Sequence, residues 1–115
     1  MDVEEVRCRH ILQKHTGSRN PNDSYRKKPI TRSKDEAIAN IIAIRRAIVD
    51  DGKSFEQFAA ELSECGSAAN GGDLGPFAKG QMQKEFEVVA FALKVGEISD
   101  LVDSDSGIHI ILREE

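Results

Sequence analysis

Between Gly72 and Phe86 the chain cannot form a long regular helix. The tract reads Gly72-Asp73-Leu74-Gly75-Pro76-Phe77 and runs on through Gly80-Gln81-Met82-Gln83. Glycine permits tight backbone turns, and Pro76 fixes one torsion and removes a backbone donor. Leu74, Phe77, Met82 and Phe86 supply apolar bulk inside this broken backbone, a combination that builds a small apolar pocket. Leu74, Met82 and Phe86 would ordinarily be core; the glycines and proline that separate them from regular helix favour the pocket.

The flanking segments are periodic. Residues 5 to 13 alternate, with Val6, Cys8, His10 and Leu12 on one face and Arg7, Arg9, Ile11 and Gln13 on the other, which predicts a half-buried strand. Ser33 with Glu36 forms a capping-box signature ahead of Ala37, Ile38, Ile41, Ile42, Ala43, Ile48 and Val49 at helical spacing, so a helix is predicted over 33–51, stopped by Gly52. Ser54 with Gln57 repeats the signature before Phe55, Phe58, Ala59 and Leu62, giving a second helix that ends beside Cys65. Phe86, Val89, Ala90 and Leu93 mark a short third helix closed by Gly96, and two strands follow near 97–102 and 107–113. A chain of 115 residues suits one domain over 1–115, and this order of elements predicts an α+β fold with an antiparallel sheet partly covered by helices.

From Lys14 to Arg32 no period survives, and Gly17, Pro21, Asn22, Asp23 and Pro29 interrupt the backbone, which predicts a long mobile loop of the kind that carries function. Residues 14–34 hold seven lysines and arginines against Asp23 alone, a charge of +6, whereas the chain as a whole carries −4. A basic loop on an acidic body fits either a small anionic ligand or a solvated surface; general nucleic-acid affinity is not expected, because the remaining surface repels a polyphosphate. No apolar run approaches the roughly 20 residues that span a bilayer, and the acidic start Met1–Glu5 lacks the pattern of a signal sequence, so neither membrane nor secretion is expected. Cys8 and Cys65 are expected as free thiols.

These tracts, with the opening Val6-Arg7-Cys8-Arg9-His10-Ile11-Leu12 and the closing Asp105-Ser106-Gly107-Ile108-His109-Ile110-Ile111-Leu112, closely resemble the parvulin family of peptidyl-prolyl isomerases. The resemblance runs in order through nearly the whole chain. It implies a four-stranded antiparallel sheet surrounded by three to four helices, working without a cofactor or metal. It also implies a cytoplasmic or nuclear location, a monomer, and protein partners carrying phosphorylated Ser/Thr-Pro in cell signalling. Some parvulins add a tryptophan-rich phosphopeptide module; this chain has no Trp, so that module is not expected.

Taken singly, His10 and His109 each read as hydrogen-bonded core histidines. The resemblance implies a histidine pair beneath the active site, with Cys65 beside the substrate carbonyl. It further implies a proline-ring grip from Leu74, Met82 and Phe86, with Gln83 and Ser106 at its edge. Isomerisation breaks no bond; it rotates an amide over a barrier of roughly 18–20 kcal/mol, so Cys65 is expected to act by polarity and hydrogen bonding, with covalent attack as the alternative. Phosphate-dependent parvulins carry a lysine and two consecutive arginines after the first strand. Here Lys14 and Arg19 match, but Asn20 replaces the second arginine, with Arg26, Lys27 or Lys28 as possible substitutes. An isomerase indifferent to phosphate and a non-catalytic phosphopeptide adaptor are the alternatives.

Overall fold

A computed structural model describes residues 5–115; the acidic residues Met1–Glu4 lie outside the described residues. The chain runs β1 (Glu5–Gln13), α1 (Lys34–Asp51), α2 (Phe55–Leu62), a 3₁₀ helix (Gly66–Asn70), β2 (Asp73–Ala78), α3 (Lys84–Ala92), β3 (Val102–Ser104) and β4 (Gly107–Arg113). The four strands form one antiparallel sheet in the order β2-β1-β4-β3.

Alternation along the strands divides the core in two. Ile11, Ile108 and Ile110 face α1 and α2, and pack with Ile41, Ile44, Phe55 and Ala59. Val6, Cys8 and Ile111 face the opposite way and pack with Phe77, Phe86, Ala90 and Leu93 of the β2–α3 region. The capping box on α1 is complete: Ser33 Oγ accepts from Glu36 N at 3.2 Å and Glu36 Oε1 accepts from Ser33 N at 3.1 Å. On α2 only one arm forms, Ser54 Oγ accepting from Gln57 N, because the Gln57 amide donates to Glu61.

Three elements differ from expectation. The glycine tract contains β2, a bulged edge strand that the residue pattern alone does not suggest; Pro76 is tolerated there because an edge strand leaves one side of its backbone unpaired. The strand expected near 97–102 shrinks to one bridge, Ile98 with Leu112, and pairing resumes only at Val102. α2 ends at Leu62, earlier than its expected end beside Cys65.

The loop over 14–32 is tied down, contrary to the mobile segment its composition suggests. Asp23 accepts from the amides of Tyr25 and Arg26 at 2.9 Å each, Asp23 N donates to Lys28 O at 2.7 Å, and Ile30 N donates to Pro21 O at 2.8 Å. Arg26 then reaches the last carbonyls of α2, donating to Ala60 O, Glu61 O and Ser63 O, where a cation suits the helix dipole.

Candidate active site

β1 and β4 pair so that Ile11 opposes Ile110, which puts His10 and His109 on a diagonal of the same face. Their Nδ1 atoms stand 3.0 Å apart. His109 Nε2 lies 2.7 Å from Ser104 Oγ on β3, and Ser104 Oγ also accepts from Ser106 N at 3.2 Å. Burial, reinforced by the neighbouring His10, pulls the His109 imidazole down to about 3, so it stays neutral. A neutral ring donates from one nitrogen and accepts at the other; the chain Ser104–His109–His10 therefore runs in one proton direction or the reverse. His10 Nε2 is buried without a hydrogen-bond partner among the described residues. Phe86 meets both rings edge to face, at 5.5 Å and 5.3 Å between centroids, and closes the apolar side of the pair.

Cys65 lies at the start of the 3₁₀ helix, beside His10. Burial pushes its thiol up, but the His10 ring and the Ser67 hydroxyl and amide pull harder in the other direction, leaving it at about 6. Gly72 lets this segment close on the strand: its φ is +86°, its carbonyl accepts from His10 N at 3.0 Å, and a Cβ there would stand 2.5 Å from His10 O.

Pairing between β1 and β2 shifts between Arg7, opposite Pro76, and Arg9, opposite Asp73, so β2 carries one extra residue around Leu74 and Gly75. Gly75 takes φ +72° in this bulge, and the Asp73 carboxylate accepts from its amide at 2.9 Å. The bulge brings Leu74 onto the same face as Phe77, three residues on, which a regular strand would not do.

The resulting cavity, about 310 Å³, is lined by His10, Cys65 and His109 together with Leu74, Met82 and Phe86, as expected, and by Gln83 and Ser106 at its polar side. Gln83 sits at the N-cap of α3 but does not cap it; its amide donates to Ser106 Oγ at 3.1 Å. A second cavity of about 180 Å³ adjoins the first and is lined by Lys14, Arg19, Asn20 and Ser24. Arg19, Cys65 and Ser106 belong to both. Lys14 Nζ donates to Asn22 O at 2.5 Å and to Ser24 Oγ at 3.1 Å, which leaves one of its three protons. Burial lowers the Lys14 pKa, with Cys65, Asp23 and Glu64 pulling the other way. Asn20 accepts from Asn22 at 3.1 Å, so its own amide nitrogen remains to donate. Arg26 does not replace the missing arginine, since its guanidinium is spent on Asp23 and on the end of α2.

All ten expected site residues thus gather around two joined cavities. Ser104 escaped the sequence reading: its only signal is its position two residues before Ser106, and its contact to His109 depends on the β3–β4 turn. Ser24 and Asn20 escaped as polar donors because nothing local aims them.

The PPIC-type PPIase domain model of the rotamase family matches residues 10–115. A peptidyl-prolyl cis-trans isomerase Pin1 of Digitalis lanata is 50% identical over 118 residues, spanning 98% of each chain. Among solved structures, the peptidyl-prolyl isomerase ESS1 from Candida albicans superposes with a TM-score of 0.94 at 38% identity, over 97% of this chain and 63% of that one. The solution structure of TbPIN1 gives 0.87 at 42% identity, over 97% and 98%. With the fold, the half-apolar cavity and the histidine pair in place, the chain belongs to the PPIC-type rotamase family, the parvulins, and is a peptidyl-prolyl cis/trans isomerase acting on proteins.

Proposed function

We propose that this isomerase acts on phospho-Ser/Thr-Pro bonds. The observation that carries this reading is the shared wall: Arg19, Cys65 and Ser106 border both the apolar cavity and the cationic one. A proline ring between Leu74, Met82 and Phe86 then has its preceding residue directed across that shared wall towards Lys14 and Arg19. Lys14 and Arg19 supply two charges, and Asn20 and Ser24 supply neutral donors, which suits an anion bound at the mouth of the site.

Catalysis in this reading is non-covalent. Twisting the amide removes its resonance and leaves a more basic proline nitrogen, and a water-poor cavity with donors such as Gln83 and Ser106 favours that state over the planar one. Cys65 contributes polarity beside the carbonyl, and the Ser104–His109–His10 chain holds the floor under it. The two free cysteines fit a reducing compartment, the cytoplasm or nucleus.

The experiment is NMR exchange spectroscopy on paired peptides that differ only in the phosphate. Faster cis–trans exchange of the phosphorylated peptide supports the reading, and equal exchange overturns it. Asn20 in place of a second arginine favours the alternative, an isomerase without phosphate preference, and the same pair of peptides decides between them.

A further inference from the structure

β2 pairs with β1 only as far as Arg9, so the amides of His10, Leu12 and Lys14 face an edge that no strand fills among the described residues. Each is satisfied differently. His10 N donates to Gly72 O at 3.0 Å, Leu12 N to Ser63 Oγ at 3.0 Å, and Lys14 N to Glu64 Oε1 at 2.8 Å. The last is the unusual one, because a charged side chain, 7% exposed, closes the strand.

The same carboxylate receives Arg32 Nη1 at 2.5 Å, and that guanidinium donates in turn to Lys14 O at 2.9 Å. The Lys14 peptide is therefore gripped at its N–H by Glu64 and at its C=O by Arg32. Glu64 is also bonded through its own backbone: its N donates to Leu12 O at 2.8 Å and its O accepts from Ser24 N at 3.1 Å. Ser24 is where Lys14 Nζ donates, and Cys65 is the next residue along the chain. One residue thus fixes the main chain of Lys14, the hydroxyl that steers its ammonium, and the start of the segment bearing the thiol. These three form walls of the cationic cavity.

We propose that Glu64, clamped to Arg32, is a positioning residue that aims the Lys14 ammonium into the anion cavity beside Cys65. This rests on the phosphate reading above. The role differs in sign from a simple charge effect. Removing a carboxylate near an anion site strengthens anion binding if only charge matters, whereas losing the grip on Lys14 weakens it.

The test is the ratio of kcat/KM for a phosphorylated peptide to that for its unphosphorylated twin, measured on the whole chain. Glu64→Ala is expected to lower this ratio roughly tenfold, mostly through KM for the phosphopeptide. Glu64→Gln keeps an oxygen that can accept the Lys14 amide and is expected to retain most of the ratio. In a Lys14→Ala background Glu64→Ala is expected to lower the ratio no further, because its effect passes through Lys14. Arg32→Gln reaches the same peptide from its carbonyl side, is less buried than Glu64, and is expected to move the ratio in the same direction. A ratio that rises or stands unchanged in Glu64→Ala, or falls equally in Glu64→Gln, overturns the positioning role. Lys14→Ala alone separates the two ideas: if it leaves the native ratio intact the phosphate reading fails, and if it collapses the ratio while Glu64→Ala does not, only the inference fails.

Discussion

The two faces of the sheet meet different fates. On one, Ile11, Ile108 and Ile110 lie under α1 and α2, and the contact is apolar throughout. On the other, α3 covers Val6, Cys8 and Ile111 and touches His10 and His109 through Phe86 near its start, while His10, His109 and Ser104 are linked by hydrogen bonds at the polar end of the sheet. Length accounts for much of this. α1 has 18 residues and reaches about 27 Å, while α3 has 9 and reaches about 14 Å, well short of a strand of 9 residues at about 30 Å. The sealed face holds the fold together, and the half-covered face leaves room for a substrate.

Substitutions sharpen the contrast. On the sealed face, Ile41→Ala leaves a cavity against fully buried neighbours and is expected to cost about 2–5 kcal/mol, read as a lower urea midpoint. A loss under about 1 kcal/mol would mean that α1 repacks and that the two faces are not so different.

The cysteines test the half-covered face from within. Burial pushes the Cys8 thiol up to about 11, whereas Cys65 sits at about 6. Iodoacetamide at pH 7 is expected to alkylate Cys65 at least about a hundredfold faster than Cys8, with the Cys65 rate rising to a plateau above its thiol midpoint. Mass spectrometry of the native protein at a series of pH values measures both, and equal rates would show that Cys65 is no more open than the core.

Met82, half-buried at the cavity wall, offers a smaller effect on a different axis. Met82→Ala is expected to lower kcat/KM roughly tenfold while shifting the unfolding midpoint far less than Ile41→Ala does. A variant that loses stability and keeps its activity would move Met82 from the site to the core.

The pH dependence of stability probes the buried histidine of this face directly. The native fold holds His109 neutral down to about 3, while the unfolded chain takes up that proton near the ordinary 6.5. Between those values the unfolded state binds more protons, so stability falls as pH drops through the window and is complete above it. His109→Asn is expected to flatten that part of the melting-temperature profile, and an unchanged slope would show that His109 is not held neutral.

The sealed face was legible in the sequence and the other only in part. β1 and α1 announce themselves by period and by the Ser33–Glu36 cap, which are local properties. β2 does not, because its glycines and proline read as a break and its pairing comes from β1 across the fold. The strand expected near 97–102 is not kept, since pairing with β4 there shrinks to a single bridge at Ile98. The order in the 14–32 loop depends on Arg26 finding the carbonyls of α2, and the Glu64–Arg32 clamp joins residues 32 apart, so neither leaves a local trace. The pocket residues were legible through their resemblance to a family, whereas Ser104, Glu64 and Arg32 act only once the strands are assembled.

The extra residue in β2 has a consequence for how such a chain can vary in length. Because two residues of β1 oppose three of β2 there, removing one residue between Asp73 and Pro76 would restore an unbulged ladder, with Asp73 still opposite Arg9 and Pro76 still opposite Arg7, so the phase of the strand on both sides of the cut would survive. Losing the one surplus residue is therefore the change of length that the sheet can absorb, whereas Gly75 at φ +72° restricts what may replace it.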